Sequence, residues 1–218
     1  MEKQDKQAII ESFTKAVISF VPGIGGAVGS ILGDVLAHRK EKRINEFLET
    51  IKEDIINNKE QVNLDFVSKE DFLDVFEGTA KKIANERSEE KRQAYKNILV
   101  HGILSNGYSY DEVENQMRIL DLLSSDHILL LNLFASPINF KLENANLKSA
   151  GTYWALLKQI LPNWERDYAY DHIKDLENNR LVEGVAENFQ TMMMNVTLSS
   201  LEGKLTSRGA TFVSFILR

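Results

Sequence analysis

Four histidines, His38, His101, His127 and His172, are the side chains here best suited to proton transfer or metal ligation near neutral pH. They are scattered, and none stands at helical ligand spacing from another, as a zinc-binding His-x-x-x-His pair would require. Each therefore reads as a surface or boundary residue. Asp34 and His38, at i and i+4 on one helix face, can couple as carboxylate and imidazole, although a local ion pair uses the same spacing. Cysteine is absent, which removes disulfides, thiolate nucleophiles and cysteine-ligated metals together. The sequence contains no Gly-x-Ser-x-Gly elbow and no His-Glu-x-x-His, so an enzyme would have to assemble its site from dispersed residues. The expectation is a non-enzymatic protein with no catalytic residue, no metal and no cofactor.

Spacing is more informative among the glycines. Gly25, Gly29 and Gly33 recur every fourth residue, which on a helix makes a flat groove that another backbone can approach closely. The eighteen residues from Ala16 to Gly33 carry no charge, and the basic run His38-Arg39-Lys40-Glu41-Lys42-Arg43 follows shortly after. An apolar hairpin with a basic collar is the layout of a segment that inserts in a bilayer and holds Arg39, Lys40, Lys42 and Arg43 at anionic headgroups. Close packing against a neighbouring helix, or self-association, uses the glycines equally well. Packing is favoured, because Pro22 and Gly23 break the apolar run into pieces too short to span a membrane and Asp34 interrupts the second. A phosphate cradle fits poorly: Gly23-Ile24-Gly25 begins a dinucleotide fingerprint, but Val28 stands where its third glycine belongs and the segment before it patterns as helix rather than strand.

The elements that must position these residues follow from composition and periodicity. Of 218 residues, 43% are hydrophobic and 27% charged, an ordinary globular balance, and 32 acidic against 26 basic side chains give a net charge of −6. A partner with a phosphate backbone or an anionic lipid surface would then need a local basic patch. Only three prolines occur, and apolar residues recur at three and four, so the fold class expected is mainly α. A first helix over about Lys3 to Val21 is expected to form a hairpin with a second from Gly25 that buries Ile44, Phe47, Leu48, Ile51 and Ile55. A third, capped by Ser68, should bury Phe72, Leu73, Phe76, Ala80 and Ile83; a fourth, capped by Ser88, should bury Ala94, Tyr95, Ile98 and Leu99 and end at Ser105-Asn106-Gly107. Ser109 with Glu112 is a capping box opening a fifth. With a soft boundary between residues 105 and 124, the chain divides into a helical bundle over 1–108 and a second module over 109–218. No basic, apolar leader opens the sequence, so a cytoplasmic location is expected.

The second module reads as a helix over Ser125 to Phe134, another over Tyr153 to Leu161, a third over about Asn163 to Asn179, an extended run from Met192 to Leu198, a turn at Glu202-Gly203 and a last helix capped by Thr206. That order is expected of a winged helix with a small β-hairpin, whose third helix meets a partner, and Tyr168, His172 and Lys174 are its candidate outward residues. DNA suits it badly: Arg166, Lys174 and Arg180 face five acids, Glu165, Asp167, Asp171, Asp175 and Glu177. Met192, Met193 and Met194 read as strand core and edge, or as an adaptable binding strip, and Trp154 and Trp164 as core or subdomain contacts before ligand stacking. Five stretches resemble uncharacterised bacterial helical proteins: Val21 to Gly26, Arg87 to Arg92, Leu176 to Val182, Leu205 to Gly209 and Phe212 to Ile216. The resemblance implies a bacterial origin and the architecture above, with no activity attached. The function expected is an interaction protein that binds another protein or itself. The alternatives are a winged-helix nucleic-acid regulator and a membrane-active effector working through the glycine hairpin.

Overall fold

The computed structural model describes residues 31–58, 61–67, 70–104, 108–137 and 147–217, with side chains from residue 37 onward apart from 64, 65 and 70. The protein is mainly helical, and no strand forms among the described residues. Two compact units divide between Asp121 and Leu122. That division lies inside the 105–124 interval but beyond 108/109, so the helix opened by Ser109 completes the first unit. The first expected helix lies outside the described residues, as do Gly25 and Gly29 at the start of the second, Ser68 and Ser105-Asn106-Gly107.

In the first unit the helices are α1 (Ile31–Asn57), α2 (Leu64–Val67), α3 (Glu70–Asn85), α4 (Glu89–Leu104) and α5 (Tyr110–Asp121). The three- and four-residue spacing of Ile44, Phe47, Leu48, Ile51 and Ile55 puts all five on one buried stripe of α1. It meets Phe72, Phe76, Ala80 and Ile83 of α3, with the Phe47 and Phe76 rings 5.7 Å apart. Burying each large side chain of this kind contributes about 1.5–3 kcal/mol. Leu73, expected in the same stripe, is 41% exposed, because one residue past Phe72 the helix has turned by about 100°. α4 is the central element, packed by α1, α2, α3 and α5 and buried around most of its circumference. Gly102 is what lets it be central: a Cβ there would lie 2.8 Å from Val113 Cγ2 and 3.0 Å from Phe66 Cζ.

Local chemistry starts these helices where the sequence signals. The Lys91 amide donates to the Ser88 hydroxyl at 3.1 Å. At α5 the capping box is complete: the Ser109 amide donates to the Glu112 carboxylate at 2.7 Å, and the Glu112 amide to the Ser109 hydroxyl at 3.3 Å.

The second unit contains α6 (Ser125–Ala135), α7 (Tyr153–Ile160), α8 (Arg166–Asn178), a 3-10 turn (Leu198–Leu201) and α9 (Ser207–Ile216). Its core gathers Leu131, Phe134, Leu157, Ile173, Leu176, Phe189, Phe212 and Phe215. The described residues do not support a winged helix with a β-hairpin. On either side of the expected turn, the β-type pairing among the described residues amounts to two isolated bridges, Ala150 with Val196 and Val182 with Leu205. A ladder needs successive pairs, and here the chain folds away instead. The Glu177 carboxylate accepts the amides of Val185 and Ala186, both at 2.9 Å, and Gly184 turns the backbone with φ 69°. Val185, Ala186 and Phe189 are thereby buried, while Met192 and Met194 stand 83% and 93% exposed. Neither of those two methionines is core.

Two close approaches fix the end of this unit. α8 ends in a Schellman arrangement, with Leu181 N donating to Leu176 O at 2.9 Å and Arg180 N to Glu177 O at 2.8 Å, and with Arg180 in the left-handed region at φ 58°. Thr206 then caps α9, accepting the Gly209 amide at 2.9 Å while its hydroxyl donates to Arg180 O at 2.6 Å. Gly209 rides so near Leu181 that a Cβ would sit 1.9 Å from the Leu181 carbonyl oxygen.

Candidate functional site

The first unit carries a cleft of about 420 Å³ between α3 and α5. These helices run side by side in the same direction: both N-terminal ends, with Asp71 and Tyr110, line one end of the cleft, Thr79 Oγ1 lies 3.8 Å from Met117 Sδ midway, and Lys82 meets Asp121 at the far end. Asp71 and Asp74 form one acidic rail on α3, and Asp111 and Glu114 the other on α5. Spacings of three place each pair on one helix face. Asp71 and Asp111 also suit the positive ends of their helix dipoles; Asp74 and Glu114 lie a turn further along.

Between the rails the floor is Val75, Gly78, Thr79 and Met117. Nothing lies within 4 Å of where a Cβ on Gly78 would be, so the floor is open at its middle. Among the described residues Lys82 is the single cation lining the cleft, and its ammonium is engaged by Asp121 at 2.6 Å. Tyr95 donates its hydroxyl to the other oxygen of Asp121 at 2.6 Å. Burial and that carboxylate push the Tyr95 phenol far above its ordinary range, so it remains a donor. The cleft is therefore a mixed surface: two carboxylate rails over a partly apolar floor, with its cation drawn to one end. No sequence signal had paired these rails, because they come from helices separated by α4.

The glycine and collar residues are distributed differently. Gly33 lies on α1, while Gly25 and Gly29 are outside the described residues, so the every-fourth-residue groove has one described member. In the collar, Arg39 is exposed and Lys40 half-buried, Lys42 pairs with Glu46 at 3.6 Å, and Arg43 donates to the Ala84 carbonyl of α3 at 3.0 Å. Arg43 thus satisfies a C-terminal carbonyl of a neighbouring helix. His38 is exposed on α1, and the side chain of Asp34, its expected partner, lies outside the described set. No described helix is long and apolar enough to cross a membrane.

On α8, Tyr168 and His172 come together, their rings 4.2 Å apart, while Lys174 turns to Glu177 at 3.7 Å. Two residues not proposed as site members join the first pair. His127 of α6 places its ring 4.5 Å from His172, and Trp164 lies 5.5 Å from His172 on another side. His101 and His38 belong to the first unit, with the His101 ring beside Tyr108 at 5.2 Å. Among the described residues no three histidine, aspartate or glutamate side chains are arranged to hold a metal ion. Trp154 lies 5.9 Å from Phe189, the packing contact expected of it.

No protein-family model, curated protein or solved structure matches this chain.

Proposed function

We propose that this chain is a non-enzymatic interaction protein, and that the cleft between α3 and α5 receives a cationic amphipathic helix of a protein partner. The observation that carries this reading is the pair of acidic rails, Asp71 with Asp74 and Asp111 with Glu114, set over a floor left open at Gly78. A helix with lysine or arginine on either side of an apolar stripe matches both features, since its apolar ridge enters the floor as its charges meet the rails. Complementary rails raise the association rate and select the partner more than they add affinity. The nucleic-acid alternative would have to work through an acidic α8 without a wing hairpin, and the membrane alternative rests on residues 16–33, most of them outside the described set.

Fluorescence anisotropy with a labelled Lys/Leu amphipathic helical peptide tests the proposal. Saturable binding that weakens with salt is expected. Replacing Asp71, Asp74 and Asp111 with Asn and Glu114 with Gln should cost tenfold or more in affinity, about 1.4 kcal/mol. Gly78→Leu should fill the floor and abolish binding while raising helix propensity by about 0.8 kcal/mol, so loss of binding comes without loss of fold. Equal binding by the parent and both variants would sink the proposal. Concentration-dependent mass in the absence of peptide, lost in the same variants, would move the partner to a second copy of the chain, whose own Arg39 and Lys40 have the right charge.

A further inference from the structure

The capping box of α6 is built on a residue that titrates. Ser124 is its N-cap, and the third helical position, ordinarily glutamate or glutamine in this motif, is His127. The Ser124 amide donates to His127 Nδ1 at 3.0 Å, the Ser124 hydroxyl oxygen lies 2.8 Å from the same nitrogen, and the His127 amide donates to that hydroxyl at 3.4 Å. An amide can only donate, so Nδ1 must be the unprotonated nitrogen and the neutral ring carries its hydrogen on Nε2. That Nε2 is buried without a hydrogen-bond partner, and Asp175 Oδ2 stands 3.6 Å away, outside hydrogen-bond reach. His127 is 6% exposed.

A ring contact and a side-chain hydrogen bond between α6 and α8 gather at the same place. The His172 ring covers His127 at 4.5 Å, and His172 Nδ1 lies 2.8 Å from the Tyr168 carbonyl, so it is the donor there. Tyr168 donates its hydroxyl to Asp126. The charged and titrating groups around His127 are therefore His172 and Asp175 from α8, and Asp126 on its own helix, with Tyr168 tied to Asp126. α9, the other helix packed on α6, has Arg208 as its one charged residue, and that side chain lines a separate cleft with Arg180 and Glu183.

We propose that this arrangement is an acid-release device: a proton taken up on His127 Nδ1 turns the acceptor of the Ser124 amide into a second donor, opens the capping box and loosens α6 from α8. The balance of surrounding groups agrees. Burial opposes the imidazolium most strongly and His172 adds to it; Asp175 and Asp126 favour the cation but do not prevail, and the pKa is held below the ordinary 6.5. A folded-state pKa below the unfolded value means that the unfolded chain binds the proton more readily. Stability is then fully present above about pH 6.5 and falls as the pH drops from there toward the folded-state value. This device is independent of the cleft on the first unit.

Both tryptophans of the chain, Trp154 and Trp164, lie in this unit, so its state can be read by fluorescence. In the full chain, a change in tryptophan emission and a fall of several degrees in the fluorescence-detected melting midpoint are expected on going from pH 7.5 to pH 5. His127→Gln supplies the amide oxygen of an ordinary capping box without titrating; it should keep the midpoint of pH 7.5 and lose the step. Retention of the step in that variant, or a parent protein without one, would overturn the proposal. As a check that needs no variant, the Ser124 amide resonance should shift in parallel with the His127 ring protons in a pH titration by NMR. An amide that stays put while His127 titrates is equally fatal to it.

Discussion

At the scale of single residues, Gly209 has the tightest surroundings of the described glycines. Its Cα faces the Leu181 carbonyl so closely that any side chain must displace backbone, whereas a clash with the tip of a flexible side chain could be relieved by rotation. Gly209→Ala is expected to destabilise the unit by about 1–3 kcal/mol or more, read as a lower urea midpoint in tryptophan fluorescence. Unchanged stability would mean that α9 sits further from Leu181 than described. Gly78 is the converse case, a helical glycine with open space over it, which is why filling it probes binding and leaves the fold intact. In sequence the two glycines look alike, one inside a helical pattern and one in a capped first turn. Only the distance from each to a neighbouring element separates a packing glycine from a floor glycine.

At the scale of elements, capping chemistry does most of the local specification, and two capping boxes lose their hold on acidification over different pH ranges. At α5 the Ser109 amide and hydroxyl hold the Glu112 carboxylate below its ordinary 4.5, so its contribution is present above that value and lost as the pH falls through the depressed folded-state pKa. At α6 a neutral histidine fills the same role, and its contribution is lost at a higher pH, starting near 6.5. Glu112→Gln should therefore leave the box in place near neutrality and make the decline in stability of the first unit shallower below pH 4.5, followed by far-UV circular dichroism. An unaltered acid limb would show that other carboxylates carry it. Glu86 is the nearest competitor: burial works to raise its pKa, but the Ser88 amide and the Lys91 ammonium outweigh burial and lower it.

At the scale of the whole molecule, the two units have separate cores and separate reporters. Gly102 is wedged against Val113 and Phe66 in the first unit, and that unit contains no tryptophan. Gly102→Val should lower the midpoint seen by circular dichroism by an amount corresponding to about 1–3 kcal/mol of overpacking, while the tryptophan-detected transition of the second unit stays in place. Joint movement of both transitions would show that the units unfold as one.

How much of this was legible beforehand depended on range. The helical class, the buried stripes of α1, α3 and α4, the Ser88 and Thr206 caps and the Ser109–Glu112 box could all be read from the chain, because each rests on residues within one or two turns of each other and on a fixed 3.6-residue period. The expected β-hairpin failed because extended propensity in Met192 to Leu198 needs a partner strand. Glu177, holding the amides of Val185 and Ala186, draws the intervening chain into a buried loop instead. His127 was set aside as one of four scattered histidines, although Ser124 three residues before it was a local signal that could have been read. Its ring contact with His172 across 45 positions of sequence, and the facing of Asp71 and Asp74 by Asp111 and Glu114, were decided by tertiary packing alone. Periodicity tells each helix which side to bury, but not which exposed side its neighbour will place beside it.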